Sequence, residues 1–357
     1  MSSGRRARIE SRAKVSMLPL PVFKWAACVT LMLAATESVR AFGPLGVTFR
    51  ANENTGLTFP PDTHGAAGPQ SVIGVVNTNM EIFDKLGQSI FQTELQNFFE
   101  DLQDDDNIQW DFLSDPKIIF DQYLQKFIVI ILALNFDAGG FGDSYLLMGV
   151  SSTPNPVGDQ DVMGQSDWIK FSFLTSTTTH WSDYPGFGVD EDTIYVTYNM
   201  FPKMAGGVFT RKHLIFKEGL QDPINPPADL ADRFFNNILN DDNNVAFTLQ
   251  PAHSFGDTQT EWFASISNSF GGSDRVFVNT RDGGFSPNNT RTFVVDVPVF
   301  QPGGAARQRN TSTLLDTLSD RVMNAVWREN SLWFAHTIQG PSGTAIRWYE
   351  IDTTDFP

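Results

Sequence analysis

The chain turns back on itself at short intervals and never settles into a sustained helical period. In Asp183-Tyr184-Pro185-Gly186-Phe187-Gly188-Val189-Asp190 a Pro/Gly turn leads into Thr193–Phe201. There Ile194, Val196 and Tyr198 alternate with Thr193, Tyr195 and Thr197. A period of two places the two sets on opposite faces of a strand. Similar turn–strand units, bounded by Gly, Pro, Asn and Asp, recur as far as Ile351. The one stretch with helical spacing is Asp229–Leu239, where Leu230, Phe234, Phe235 and Ile238 would face one side of a short helix.

The strands fall into successive groups. Val72–Phe83 and Ser89–Thr93 form a hairpin. Lys117–Asp121, Lys126–Asn135, Ser144–Ser151 and Trp168–Leu174 make a second group. Gly186–Val189, Thr193–Phe201, Gly207–Lys217 and Val245–Gln250 make a third; His253–Phe255, Glu261–Ser267, Arg275–Thr280 and Arg291–Val297 make a fourth. Arg321–Arg328, Ser331–Ile338 and Thr344–Ile351 finish the chain one strand short, and Gly46–Arg50 is expected to supply the missing strand. This rhythm predicts an all-β fold, a β-propeller of five blades, with a β-sandwich or jelly roll as the alternative.

Residues 1–41 read as a signal peptide and 42–357 as a single propeller domain. Arg5, Arg6, Arg8, Arg12, Lys14 and Lys24 precede a short apolar core, Ala26–Ala35, and Val39-Arg40-Ala41 resembles a signal-peptidase site. That core is far short of the roughly 20 residues that span a bilayer. Secretion is therefore expected, with no membrane attachment after cleavage. Seven of the 25 Lys and Arg, but two of the 41 Asp and Glu, lie in that segment, so the mature chain has 18 basic and 39 acidic groups, a net charge of −21. Such a surface repels nucleic acid. The single cysteine, Cys28, lies in the leader, which leaves the mature chain without disulfides or thiolate chemistry. Asn288 and Asn310 head glycosylation sequons.

Pro60-Pro61-Asp62-Thr63-His64-Gly65 with Gly68-Pro69, then Asp115-Pro116, Asp183-Tyr184-Pro185 and Ala345-Ile346-Arg347-Trp348-Tyr349-Glu350 come in a specific order. In this set the chain resembles a family of secreted β-propeller-like proteins, mostly without assigned function. The resemblance covers about Phe59 to Ile351 and implies the fold and the compartment but no reaction.

In a radial fold, residues at equivalent turns meet near the axis although they are distant in sequence. Asp62, His64, Asp115, Asp183, Tyr184, His253 and His336 are therefore the candidate binding residues, on one rim or in the axial channel. Each by itself also suits a turn cap. Asp104, Asp106 and Asp111 offer hard oxygen ligands suited to calcium. That stretch lacks the Gly and terminal Glu of an EF-hand loop and reads first as an acidic solvated loop, so no cofactor is otherwise expected. No Gly-x-Ser-x-Gly elbow is present. The function expected is that of a secreted monomeric propeller that recognises an extracellular glycan or protein, since no catalytic signature stands out; the alternative is a carbohydrate-active enzyme, glycosidase or lyase, that uses the axial carboxylates. Trp181, Trp262, Trp327, Trp333 and Trp348 suit sugar stacking as well as a core.

Overall fold

A computed structural model describes residues 47–356, apart from 53–57, 59, 106–107, 138, 160–165, 223–226, 259, 267–270 and 283–289. The leader and its cleavage site, Asp106, the side chain of Asp104 and the Asn288 sequon lie outside the described residues.

The fold is an all-β propeller built of antiparallel meanders in sequence order. The first is β1 (His64–Ala67), β2 (Ser71–Val75), β3 (Asn79–Asp84) and β4 (Ser89–Glu94), followed by short helices α1 (Leu95–Phe98) and α2 (Asp101–Asp105). The second is β5 (Phe112–Asp121), β6 (Lys126–Asp137), β7 (Gly140–Ser151) and β8 (Trp168–Leu174). The third is β9 (His180–Val189), β10 (Thr193–Pro202), β11 (Phe209–Phe216) and β12 (Asp232–Asn236). The fourth is β13 (Gln250–Phe255), β14 (Thr260–Ile266), β15 (Ser273–Asp282) and β16 (Thr290–Phe300). A two-stranded ribbon, β17 (Ala306–Arg307) and β18 (Leu314–Leu315), precedes the last meander: β19 (Val322–Arg328), β20 (Ser331–Gly340) and β21 (Gly343–Asp352).

The first strands of the last three meanders are neighbours, and these three run parallel. β13 pairs parallel with β9 through His253 and Val189, and with β19 from Ala252–Ala325 to Phe255–Arg328. Among the described residues no ladder joins the last meander to the first. Strand order within each meander follows the sequence, without the long returns of a Greek key, which excludes the jelly-roll alternative.

Each interface between successive meanders has its own apolar cluster. Ile73, Met80 and Ile82 meet Ile118, Val129 and Ile131. Ile128 and Ile130 meet Val196 and Tyr198; Tyr195 and Leu214 meet Phe263; Val276 and Val278 meet Phe334 and Tyr349. Sheets stacked on both sides bury both faces, so β6 shows nine consecutive buried residues from Lys126 to Leu134 rather than alternation.

Glycine sets the distance between β9 and β13. A Cβ on Gly188 would collide with the Ala252 carbonyl, and one on Gly186 with the Thr197 hydroxyl. Gly188→Ala is accordingly expected to lower stability by about 1–3 kcal/mol through overpacking, read from urea denaturation. An unchanged midpoint would contradict this close approach.

Several segments depart from the sequence reading. Asp232–Asn236 is the strand β12 on β11, not a helix. Phe234 packs toward the cluster shared with the second meander, whereas Phe235 and Ile238 pack toward that of the fourth, so the spacing served two opposite faces. The short helices α1 and α2 bury Leu95, Phe98, Phe99 and Leu102, a 3-1-3 spacing too brief to register as a period. Val72–Phe83 is two strands, broken by paired Val76 and Asn79 backbones that leave Asn77 at the tip. Residues 47–50 form no strand in the last meander; Phe49 instead lies on Phe83, 5.2 Å between ring centroids, over Gly87. No described helix is long and apolar enough to cross a membrane.

Candidate functional site

At the upstream end of the meanders' first strands, Asp62, His64, Asp115, Lys117, Tyr184 and Met323 line a cavity of 150 Å³. Three of these residues, or their neighbours, share an unusual backbone. Asp62, Asp115 and Tyr184 are left-handed, with φ of 48°, 56° and 53°. Pro116 and Pro185 follow the last two directly, and the strand registers slip at those points, between Ser114 and Lys117 and opposite Thr197–Asn199. A bulge re-aims the side chain it carries. Left-handed geometry at a non-glycine residue costs of order 1–3 kcal/mol and persists only where surrounding bonds hold it.

Asn77 is one such restraint. Its Nδ2 donates to Asp62 Oδ2 at 2.6 Å and to the Pro60 carbonyl at 2.9 Å, while its Oδ1 accepts from the Asp115 amide at 2.9 Å. The Tyr184 amide donates to Asp115 Oδ2 at 3.2 Å, joining the second and third meanders. His64 Nδ1 accepts from the Ile118 amide at 3.3 Å, which leaves the ring proton on Nε2. Over the Tyr184 ring lie two cations, the Arg321 guanidinium at 5.2 Å and Lys117 Nζ at 5.8 Å from the centroid.

Burial dominates the electrostatics, and neighbouring like charge adds to it at Asp115. Burial, then the negative charges of Asp183 and Asp62, push the Asp115 carboxyl up to about 7. Burial also raises Asp183 above the usual carboxylate range. Burial lowers Lys117 to about 8 against the pull of Asp115 and Asp62. Burial, helped by Lys117, brings His64 down to about 4, so this imidazole is neutral. Tyr184 is pushed up to about 12 by burial and stays a phenol. At neutral pH the Asp115 carboxyl is therefore near its midpoint, with a second carboxyl group, Asp62, and Lys117 in the same cavity and the Arg321 guanidinium over the Tyr184 ring.

Asp62, His64, Asp115, Asp183 and Tyr184 come together as one group. His253 and His336 do not line the cavity. His253 sits at the downstream end of β13, its Nε2 2.8 Å from Gln122 Oε1 and its ring stacked on Phe255 at 4.2 Å. From Asp115 to that level β5 covers roughly 20 Å at about 3.3 Å per residue. His336 is 1% exposed within the last meander, with Nδ1 2.8 Å from the Asp320 carbonyl and Nε2 3.0 Å from the Tyr349 hydroxyl. Both of its nitrogens are satisfied inside the core.

Lys117, Arg321 and Asn77 escaped the sequence reading. Lys117 had a signal only in its nearness to the Asp115-Pro116 turn, because the slip between Ser114 and Lys117 breaks the regular alternation there.

Not every buried aspartate belongs to this site. Asp121 Oδ1 accepts from the Tyr123 and Leu124 amides at 2.8 and 3.1 Å, and Asp190 Oδ1 from the Asp192 and Thr193 amides at 3.0 and 2.8 Å. These close the turns after β5 and β9. Asp111, the remaining described calcium candidate, accepts the Phe136 amide at 2.8 Å through Oδ2. Among the described residues no cluster of three or more His, Cys, Asp or Glu has a metal-holding arrangement.

No family model and no curated protein matches the chain. Among solved structures it is similar to the subtype N11 neuraminidase-like protein of a flat-faced bat isolate from Peru, at 10% identity and TM-score 0.40, over 83% of this chain and 72% of that one. It is similar to a Trypanosoma rangeli sialidase at 8% identity and TM-score 0.43, over 82% of this chain and 44% of the sialidase. A thermostable family-43 glycoside hydrolase aligns at 11% identity and TM-score 0.37, over 82% of this chain and 88% of that one.

Proposed function

We propose that the upstream cavity is an acid–base site acting on a glycan, and that the protein is a secreted carbohydrate-active enzyme of glycosidase or lyase type. The observation that carries this reading is the pairing, in one 150 Å³ cavity, of Asp115, whose carboxyl is pushed up to about 7, with Asp62. Two carboxyl groups given different roles by their surroundings are what protonation of a leaving oxygen and activation of a nucleophile require. Asp115 donates its proton to the departing glycosidic oxygen. Asp62, fixed by Asn77, attacks the anomeric carbon or takes a proton from water. Asp183 acts through Asp115 by holding its proton on, and Arg321 and Lys117 offset the carboxylate charge. The Tyr184 phenol serves as a hydrogen-bond donor.

A panel of aryl glycosides and polysaccharides, with released reducing ends as the readout, tests this reading. Asp62→Asn is expected to lower kcat by at least about 10²-fold, the scale of a lost acid or base, with an unchanged far-UV spectrum. The wild-type rate should fall as pH rises through about 7, where Asp115 loses its proton. Glycan binding without any product would leave a recognition protein and remove the roles of Asp62 and Asp115. The anomer released first, followed by NMR, reports whether the carboxyl pair retains or inverts. Secretion belongs to the same proposal: protein recovered from the medium should begin near Phe42, and an intact leader on a membrane-bound product would contradict it.

A further inference from the structure

We infer that the axial cavity is the inner end of a longer cleft, and that this cleft takes an uncharged polysaccharide chain. The inference deepens the glycosidase reading and rests on it for the position of the cleaved bond. A groove of 490 Å³ lies between the first and second meanders, lined by Asn77, Asn79, Gln92, Glu94, Asp111 and Phe112 among others. That volume falls in the range of small-ligand clefts, about 300–1,000 Å³. Its walls come from the β2–β3 turn, the end of β4 and the start of β5, all at the same end of the fold as the carboxylates. Asn77 links the two places: it lines the groove and bonds Asp62 and the Asp115 amide, whose residues line the cavity. A chain lying in the groove thus runs toward the acid–base pair beside Asn77.

The lining selects by chemistry. Amide groups of Asn77, Asn79 and Gln92 offer donors and acceptors together, which matches sugar hydroxyls. Among the described residues that line the groove, the charged ones are Glu94 and Asp111, and none is Lys or Arg. A uronate or sulfated chain would meet like charge there without a partner.

Aromatic rings stand at the outer rim. Phe112, Phe136 and Phe141 are 40%, 47% and 39% exposed. The bond from the Phe136 amide to Asp111 ties the β6–β7 tip to the groove. Phe136 and Phe141 lie 5.3 Å apart, and Phe141 stacks on Trp181 at 4.0 Å. Half-exposed flat rings beside a polar groove suit the C–H faces of pyranose rings, which bury apolar area while their hydroxyls stay bonded.

Calorimetric titration of the full chain with cellohexaose, xylohexaose and mannohexaose, and with hexagalacturonate as the charged probe, tests the inference. At least one uncharged hexasaccharide should bind. Hexagalacturonate should bind at least about tenfold more weakly at low salt. Phe112→Ala should weaken the uncharged chain about tenfold, the scale of one lost stacking contact, with an unchanged far-UV spectrum showing that the fold is kept. Glu94→Lys should recover binding of hexagalacturonate. Equal binding of the charged hexamer, or Phe112→Ala and Phe136→Ala both without effect, or no binding by any hexasaccharide, would each overturn the cleft. Phe112-dependent binding with no product would sink the glycosidase reading alone. Cleavage of a hexasaccharide at a rate indifferent to Phe112→Ala would sink the cleft alone.

Discussion

Asp115→Asn is expected to make the protein more stable at pH 8 while abolishing turnover. In the folded chain the Asp115 carboxyl sits at about 7, against an ordinary value of 3.8. The folded state therefore holds this proton more tightly than the unfolded state does. Its contribution to stability is fully present below about pH 4 and is lost as pH rises through about 7, staying lost above it. An amide has no charge to desolvate beside Asp183 and Asp62, and it still accepts the Tyr184 amide through its oxygen. Asp115 is half-buried rather than enclosed. Discounted for solvent screening, the gain at pH 8 is about 1–3 kcal/mol. Urea denaturation of both proteins at pH 3.5, 5 and 8 checks it: the two curves should converge at the lowest pH and separate as pH rises. A variant less stable than wild type at pH 8 would make Asp115 a structural cap. Gain of stability with loss of activity is the mark of a strained functional site.

The opposite behaviour is expected at the other end of the axis. Lys217 Nζ lies 2.5 Å from Asp121 Oδ2, with side-chain exposures of 3% and 0%, and donates to the Asp190 carbonyl. Lys217→Met removes the cation and leaves Asp121 charged inside the core. Breaking a buried pair from one side costs about 3–5 kcal/mol, because the stranded partner keeps its desolvation penalty. Lys217→Met/Asp121→Asn should recover a large part of that loss, since no charge is then stranded. A single-variant loss below about 1 kcal/mol, the size of an exposed pair, would show that water reaches this pair. This ion pair ties the β5–β6 turn to the end of β11, and the substitution should leave the upstream carboxylates in place.

Two patterns made the strands legible. Thr193–Phe201 alternates in residue type, because a pleated strand repeats every two residues, whereas Lys126–Asn135 is a short unbroken apolar run between turn residues, as suits a strand buried on both faces. The Pro/Gly turns gave the order of meanders, and Asp62, Asp115 and Asp183 stood out because each adjoins such a turn at the start of a meander's first strand. Phe234 and Phe235 misled, since two adjacent rings suit both one helical face and two strand faces. What decided between them was the apolar cluster waiting on each side of β12.

Depth along the axis was not in the sequence. Asp115 and His253 both lie close to turns on the first strands of their meanders, yet one is at the upstream end and the other at the level of Gln122. Local pattern sets the face that a side chain occupies; the height at which it meets other meanders depends on the register between sheets, set by bulges at Pro116 and Pro185 and by Gly188 against Ala252. Lys117 and Arg321 joined the carboxylates for the same reason, brought in by neighbouring strands rather than by any motif. The raised Asp115 carboxyl is likewise a product of assembly, because desolvation and the nearness of Asp183 and Asp62 arise only when three meanders close on one another. The sequence by itself therefore determined the strands, their order and the residue types at each turn, whereas the tertiary structure decided which of those turns share one cavity.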